Sequence, residues 1–251
     1  MLKVQNLHFA YSAHRGPVLC GADLELAQGQ IGIVLGRNGS GKTTLFKNIL
    51  GIEKPGSGTI TFDGENLLKL SRRERARRIA YVPQHIHFGD LSVLDSVLMG
   101  RVSYFGMKAG REDYEAVEKI LADMGLTEFA HRSAEALSGG EKQKIAIARA
   151  MAQEPRLMIF DEPTGNLDIA NERLIMEEAR RLAREKNISI LSSLHDLNQA
   201  LEFGDKFFLM KDGVVKYTGG RECINQQTIR DIFDVDVTIA QIDGRRVVLT
   251  R

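Results

Sequence analysis

Few folds can accommodate the glycine-rich segment at residues 36–43. It reads Gly-Arg-Asn-Gly-Ser-Gly-Lys-Thr, with the Gly-x-x-x-x-Gly-Lys-Thr spacing of a Walker A phosphate loop. The apolar run Ile31–Leu35 before it predicts a buried strand, and residues 44–50 after it predict a helix that Gly51 ends. Because a loop between a strand and a helix can aim backbone N–H groups at a phosphate, we expect a nucleotide site here.

The residues of this loop have separate expected roles. The Lys42 ammonium would contact the β- and γ-phosphates, the Thr43 hydroxyl would bind Mg²⁺, and Thr44 would add a phosphate contact. Further nucleotide contacts are expected from Gly36, Asn38, Gly39, Ser40 and Gly41. The alternative is a glycine-rich turn with a chance lysine, and the flanking strand and helix argue against it.

A second candidate site lies at the end of an apolar run. Residues 156–163 read Arg-Leu-Met-Ile-Phe-Asp-Glu-Pro, which predicts a strand that ends in two carboxylates. Such carboxylates face the ligand crevice of an α/β sheet. Asp161 suits the Mg²⁺ shell, and Glu162 suits polarisation of an attacking water. Alone, this pattern is also typical of an ordinary turn, but downstream of a phosphate loop it indicates a hydrolytic site.

A second glycine turn occupies residues 137–143, Leu-Ser-Gly-Gly-Glu-Lys-Gln. Ser138 and Glu141 form a capping box at the start of an amphipathic run, so a well-capped helix is the simplest interpretation. That interpretation leaves Gly139 and Gly140 unexplained, because each weakens a first helical turn by ~1 kcal/mol. Bare N–H groups at a helix N-terminus bind phosphate oxygens, so we expect a second phosphate clamp.

Together these motifs resemble the nucleotide-binding subunit of ATP-binding-cassette (ABC) proteins, over essentially the whole chain. The resemblance implies ATP hydrolysis with Mg²⁺. It identifies residues 137–143 as the signature motif, which binds the γ-phosphate of ATP held by another subunit. Two ATP molecules would then lie between two copies of the chain in head-to-tail symmetry.

The resemblance also assigns single residues. Tyr11 corresponds to the aromatic that stacks on adenine, although an ordinary edge-strand aromatic is the alternative. Gln84 corresponds to the glutamine that senses Mg²⁺ and water and leads to the membrane partner. Asp168, in Gly-Asn-Leu-Asp at 165–168, corresponds to the aspartate of the loop between subunits. His195 corresponds to the switch histidine at the γ-phosphate, whereas a lone histidine after an apolar run is more often structural.

Two small departures from the family pattern remove no catalytic group. Residues 165–166, Gly-Asn, replace the commoner Ser-Ala, and Glu141 replaces a common glutamine. We therefore expect an active ATPase rather than a degenerate cassette.

The expected fold class is α/β, with a P-loop NTPase-type parallel sheet core, an N-terminal antiparallel β-subdomain and an inserted helical subdomain. Residues 1–251 would form a single ABC nucleotide-binding domain. Within it, residues 1–83 and 153–251 would form the ATP-binding core, and residues 84–152 the helical subdomain that carries the signature motif.

Local patterns place further elements. Helices are predicted at 92–99, 111–124, 168–185 and 228–233, and residues 100–110 are predicted to be a loop. Hairpins are predicted around the Asp-Gly pairs at 212–213 and 243–244.

Composition narrows the class of protein. The chain has 251 residues and is 43% hydrophobic, enough for a full core, and no run approaches the ~18 apolar residues of a membrane span. No secretory signal is visible. Cys20 and Cys223 have neither metal-ligand nor disulfide spacing, which fits a reducing compartment. The net charge of +1 gives no general attraction to nucleic acid.

Two clusters remain open. Arginines occupy positions 72, 73, 75, 77 and 78, after Ser71 as a helix cap; we interpret them as a solvated helix face, with contact to lipid headgroups or a partner as the alternative. His85 and His87 follow Gln84 and could touch a partner, but no third metal ligand is evident.

A short cassette without a membrane span predicts the ATPase of an importer, bound peripherally at the cytoplasmic side of the membrane. Its partners would be a second copy, permease subunits and, indirectly, a solute-binding protein. Residues 97–101 and 232–237 look like segments of the iron-siderophore, haem and cobalamin importers, whose close relatives carry molybdate. The alternatives are an exporter ATPase and a soluble cassette such as an iron–sulfur assembly ATPase. A chromosome ATPase would need a long coiled coil, which the sequence lacks.

Overall fold

The computed structural model describes residues 1–12, 16–165 and 167–250. Contacts divide the chain into two compact units, the first formed by Met1–Leu70 with Arg180–Arg251 and the second by Ser71–Ala179. No helix in the described ranges is both long and apolar enough to cross a membrane.

The described strands are β1 (Leu2–Phe9), β2 (Leu19–Leu26), β3 (Ile31–Leu35), β4 (Ser57–Phe62), β5 (Glu65–Asn66), β6 (Ile79–Val82), β7 (Leu157–Asp161), β8 (Ser189–Ser193), β9 (Lys206–Lys211), β10 (Val214–Gly219), β11 (Val237–Ile242) and β12 (Arg245–Thr250). The described helices are α1 (Lys42–Leu50), α2 (Arg72–Ala76), α3 (Val93–Leu98), α4 (Arg111–Asp123), α5 (Gly139–Met151), α6 (Ile169–Glu185), α7 (Leu197–Phe203) and α8 (Gln226–Phe233). Short 3-10 turns occur at Leu67–Lys69, Met99–Ser103, Thr127–Phe129, Ala134–Ala136 and Arg221–Cys223.

The first unit contains an antiparallel sheet in the order β2-β1-β4-β5. Leu2 lies opposite Leu26 and Val4 opposite Leu24, and all four side chains are buried. Apolar residues at every second position of a strand point to one face, so this pairing buries one side of the sheet. The predicted N-terminal antiparallel β-subdomain is confirmed.

The parallel part of the first unit is built around β3, whose five residues are all buried. It lies between β8 and β9, and Ile33 faces Ser192 on one side and Phe207 on the other. A central parallel strand is covered on both faces, which explains its uninterrupted apolar sequence. The predicted parallel core is confirmed.

Two hairpins complete the strands of the first unit. At the first turn Asp212 and Gly213 have φ of 50° and 76°, and at the second Asp243 and Gly244 have φ of 48° and 74°. Two successive positive φ values are what a two-residue hairpin loop requires. Both predicted hairpins, β9-β10 and β11-β12, are confirmed.

The second unit combines the parallel pair β6-β7 with helices, and α3 packs against both α4 and α5. The predicted helices at 92–99 and 111–124 are confirmed with small changes at their ends, as Val93–Leu98 and Arg111–Asp123. The helix predicted at 168–185 is Ile169–Glu185.

The loop prediction for residues 100–110 is wrong at its beginning, because Met99–Ser103 forms a 3-10 turn. A Cβ on Gly100 would lie 2.1 Å from the Arg149 carbonyl oxygen, so the turn presses directly on the α5 backbone. The neighbouring Arg101 is buried and forms ion pairs with Asp113 and Glu154. These tertiary contacts order a segment that has no helical sequence pattern.

The arginine cluster is only partly a solvated face. The Ser71 cap and its capping box with Glu74 are present at the start of α2. However, the guanidinium groups of Arg73 and Arg77 both donate to the Ser103 carbonyl, with their Nε atoms at 2.7 and 3.0 Å. Arg77 also lies over the Tyr104 ring. Arg73 and Arg77 therefore stabilise the second unit.

Candidate functional site

The glycine loop of the first unit joins β3 to α1 as predicted. Gly39 and Gly41 have φ of 82° and 103°, and the Ser40 N–H donates to the Arg37 carbonyl across the turn. Only glycine adopts such φ values without strain. Gly51, also left-handed, ends α1, and the helix begins at Lys42, two residues before the predicted start.

Close packing explains another glycine of the loop. A Cβ on Gly36 would lie 2.3 Å from the Met210 carbonyl oxygen and 2.7 Å from the Ser40 Oγ. By contrast, a Cβ on Gly39 would meet nothing within 4 Å. The loop is thus fixed against β9 on one side and open on the other.

Two polar side chains of the loop suit an anion. The Lys42 side chain is folded over the loop, and its Nζ donates to the Gly36 carbonyl at 2.9 Å. The buried Ser40 Oγ has no hydrogen-bond partner among the described residues. A buried polar atom without a partner is costly unless a ligand satisfies it. A phosphate oxygen above the α1 N-terminus would do so.

Tyr11 lies beside the loop. Its hydroxyl is 3.1 Å from the Thr44 Oγ1, at the start of α1, and its ring meets the Phe9 ring edge-on. Thr44 is buried, whereas Thr43 is exposed. Since 45% of Tyr11 remains exposed, the ring can stack on a flat ligand.

His195 follows β8 and is exposed. Because β8 is parallel to β3, their carboxyl ends lie at the same edge of the sheet, and β3 leads into the glycine loop. In the first unit, Tyr11, residues 36–44 and His195 therefore lie at one edge of the parallel sheet.

In the second unit, Asp161 is the last residue of β7 and is 3% exposed. The Tyr81 hydroxyl, on the neighbouring β6, donates to its Oδ2 at 3.4 Å. Burial, followed by the negative charge of Asp161, raises the pKa of Tyr81 well above its usual value. Tyr81 was not among the predicted site residues; its place three residues before Gln84, in a strand next to the acidic strand, is a signal that could have revealed it.

Glu162 has an unusual backbone. Its φ is 52°, in the left-handed region, and its carbonyl accepts the Gly165 N–H. A non-glycine residue in this region carries strain of about 1 kcal/mol or more, and such strain clusters at functional sites. The side-chain carboxylate accepts a hydrogen bond from the Gln84 amide. The structure thus brings together Gln84, Asp161 and Glu162.

The capping box at Ser138 is confirmed. The Ser138 hydroxyl donates to the Glu141 carboxylate at 2.6 Å, and the Ser138 N–H donates to the same oxygen at 2.8 Å. The remaining N–H groups of the first α5 turn belong to Gly139 and Gly140.

Gly140 also lies directly against a side chain of α6. A Cβ at this position would lie 2.3 Å from the Asn171 Oδ1, and Asn171 in turn is bound to Asp168. The two Asp168 carboxylate oxygens accept the Asn171 backbone N–H and side-chain amide, each at 2.8 Å. Asp168 therefore caps the start of α6, a structural role in addition to the one predicted for it. Asn171 was not among the predicted site residues. Asn166, part of the same motif, lies outside the described residues.

Each unit offers oxygen donors of the kind that Mg²⁺ prefers over transition-metal ligands: the Thr43 hydroxyl in the first unit and the Asp161 carboxylate in the second. Within the described ranges, no group of three or more His, Cys, Asp or Glu residues could hold a metal, and His85 and His87 belong to no such group. Cys20 and Cys223 are free thiols.

Comparison with known proteins identifies the family. The family model described as ABC transporter matches residues 19–165. An uncharacterised ABC transporter ATP-binding protein of Methanocaldococcus jannaschii is 39% identical over 99% of this chain and 97% of its own length. The hemin import ATP-binding protein of Bradyrhizobium diazoefficiens is 34% identical over 98% of this chain and 94% of its own length.

Solved structures agree in fold. A metal-chelate type ABC transporter in an inward-facing conformation matches 100% of this chain and 98% of its own chain, with 30% identity and a TM-score of 0.83. A dimeric ATP-binding cassette with ADP and Pi matches 88% of this chain and 99% of its own, with 28% identity and a TM-score of 0.77. The predicted resemblance and fold class are confirmed: the chain belongs to the ABC transporter family, as an ATP-binding subunit with ATPase activity.

Proposed function

We propose that the chain is the ATPase of an importer whose cargo is a metal chelate, such as an iron-siderophore, haem or cobalamin. The observation that carries this proposal is the full-length similarity to the hemin import protein and to the metal-chelate type transporter. A related oxyanion such as molybdate is the second candidate cargo.

In the first unit, the loop and its neighbours would bind ATP. Tyr11 stacks on adenine, and the N–H groups of residues 36–44 and the Lys42 ammonium hold the phosphates. The buried Ser40 hydroxyl, which has no partner in the described parts of the chain, gains one when phosphate binds. His195 contacts the γ-phosphate and signals its presence.

In the second unit, Glu162 would polarise the attacking water and accept its proton. The Gln84 amide orients this carboxylate, because the two side chains are hydrogen-bonded. Asp161 and Gln84 of this unit, like Thr43 of the first, would be ligands of Mg²⁺, and the ion would neutralise charge on the phosphate oxygens. The Tyr81 hydroxyl stabilises the Asp161 carboxylate in its buried position.

A second copy would complete each site. Ser138, Gly139 and Gly140 of that copy supply hydroxyl and N–H donors to the γ-phosphate, and its Asp168 lies in the loop between the copies. ATP binding then joins two chains head to tail, and hydrolysis releases them. This opening and closing drives permease subunits that contact the region of Gln84, at the cytoplasmic face of the membrane.

The test is an affinity purification of the tagged chain from its native cells in mild detergent, with the untagged strain as control. We expect a polytopic membrane protein in equal amount, encoded beside a solute-binding protein whose ligand is a metal chelate. A solute-binding protein specific for molybdate would indicate that the cargo is an oxyanion. A soluble partner alone, as in iron–sulfur assembly, would contradict the importer proposal.

A further inference from the structure

A cavity of about 800 Å³ lies in the first unit, away from the glycine loop in sequence and built from its last 72 residues. Its wall is formed by residues of α6, of α7, of the 3-10 turn at Arg221–Cys223 and of the β11-β12 hairpin. Cavities that bind small organic molecules have volumes of about 300–1,000 Å³. The size of this one therefore fits a metabolite rather than a single inorganic ion.

The charges around the cavity are strongly unbalanced. Four arginines line it, Arg180, Arg221, Arg245 and Arg246, against one carboxylate, Glu202. Guanidinium groups do not lose their charge, so the four repel one another at every physiological pH. A surface with this arrangement attracts anions and is stabilised when one binds.

The carboxylate does little to neutralise these arginines. The Arg245 Nη1 is 3.8 Å from the Glu202 Oε1, beyond hydrogen-bond distance, and both side chains are largely exposed. Arg180 instead donates to the Glu202 backbone carbonyl at 2.7 Å and lies over the Phe203 ring. Arg180 is thus held in place by its neighbours while its charge remains available.

Arg246 adds the sharpest observation. Its Nε atom is buried and has no hydrogen-bond partner among the described residues. A buried guanidinium N–H without an acceptor costs free energy, and no carboxylate of the described residues neutralises this charge. Neither Arg221 nor Arg246 forms an ion pair within the described ranges.

The wall also has apolar residues and one amide that is already paired. The side-chain amide of Asn198, on α7, is already hydrogen-bonded to β12, because it both donates to and accepts from the Val248 backbone. Leu201 and Ile239 contribute apolar surface. A ligand here would therefore have a carbon skeleton together with its charged groups.

We propose that this cavity binds a small organic anion with two or more negative charges, either a polycarboxylate or a phosphorylated metabolite. Guanidinium forks bind both groups through paired hydrogen bonds, so the structure assigns the charge and size of the ligand. The site is separate from the residues proposed to bind ATP. Binding here would link the ATPase to a cellular metabolite.

The test is isothermal titration calorimetry on the full chain, with citrate and with fructose 1,6-bisphosphate as probes. The Lys42→Ala background removes the main phosphate contact of the glycine loop, and uncharged fructose is the control ligand. The double variant Arg221→Glu/Arg245→Glu reverses two exposed charges at the cavity. Lys216→Glu reverses an exposed charge on β10 that does not line it.

We expect at least one probe to bind the Lys42→Ala chain, and the double variant to bind it about tenfold or more weakly. Lys216→Glu should bind as the parent does, and fructose should not bind. The probe that binds identifies phosphate or carboxylate as the recognised group. Absence of binding of both probes at millimolar concentration, or equal binding by the double variant, would overturn the proposal, and neither result depends on the importer assignment.

Discussion

The Gln84 side-chain amide donates a hydrogen bond to the Glu162 carboxylate, across 78 residues of sequence. Glu162 is at the same time held in a left-handed backbone conformation. The orientation of the proposed base therefore depends on a residue that is also proposed to sense Mg²⁺ and the membrane partner. A movement of Gln84 toward either would release the carboxylate from this bond.

Replacing Glu162 by glutamine should nearly abolish ATP turnover, by about 10²-fold or more, because the amide cannot accept the proton of the attacking water. ATP binding should remain, and the chain should accumulate as an ATP-dependent dimer, measured by light scattering after size exclusion. Glu115→Gln, on an exposed face of α4, is the control and should hydrolyse ATP normally. Turnover of Glu162→Gln at the wild-type rate would show that another group is the base.

Replacing Ser138 by aspartate should prevent this dimer while leaving the monomer folded. Aspartate accepts the Glu141 N–H as serine does, so α5 should keep its start at a small cost from repulsion by the Glu141 carboxylate, and its charge would repel a γ-phosphate. Ser71→Asp is a matched control, because Ser71 forms the same capping box with Glu74 and donates to it at the same 2.6 Å. In the Glu162→Gln background, Ser71→Asp should dimerise with ATP and Ser138→Asp should not. Dimerisation of both would remove the signature-motif role.

Gly36→Ala should weaken ATP binding and stability together. Its Cβ would overlap the Met210 carbonyl oxygen, and relieving that overlap would displace the loop at a cost of about 1–3 kcal/mol. Urea unfolding and ATP titration measure the two effects. The control is Gly106→Ala, since a Cβ there meets nothing within 4 Å. Equal stability of the two variants would show that the loop adapts to the added methyl group.

The raised pKa of Tyr81 predicts a pH dependence of stability. A phenol whose pKa is higher in the folded state stabilises the protein fully below the unfolded pKa of about 10, and this stabilisation is lost as pH rises toward the folded value. The free energy of unfolding of wild type should therefore fall more steeply above pH 10 than that of Tyr81→Phe. Parallel curves for the two proteins in urea unfolding at pH 9 to 11 would contradict this.

Sequence patterns were sufficient where the determining contacts are local. The capping box of Ser138 with Glu141 spans three residues, and the hairpin turns depend on adjacent Asp-Gly pairs, so both could be predicted. The strand, loop and helix around Lys42 were also predictable, because glycine spacing and an apolar run are visible in the sequence.

Contacts between distant residues were not predictable. Tyr81 meets Asp161 across 80 residues, and Gly100 meets the Arg149 carbonyl only because α5 packs beside it. Nothing in the local pattern distinguishes Arg73 and Arg77 from the other arginines of the cluster; their acceptor, the Ser103 carbonyl, is set by tertiary structure. The boundaries of the helical subdomain at 84 and 152 stay a prediction.

The contact of Gly140 with Asn171 couples the starts of two helices. Because the Asn171 amide fills the space where a Gly140 Cβ would be, the first turns of α5 and α6 are in direct contact. Asp168 fastens the second of these turns through two hydrogen bonds. A nucleotide that displaces the first turn of α5 would therefore also displace the start of α6, so that one binding event moves both segments.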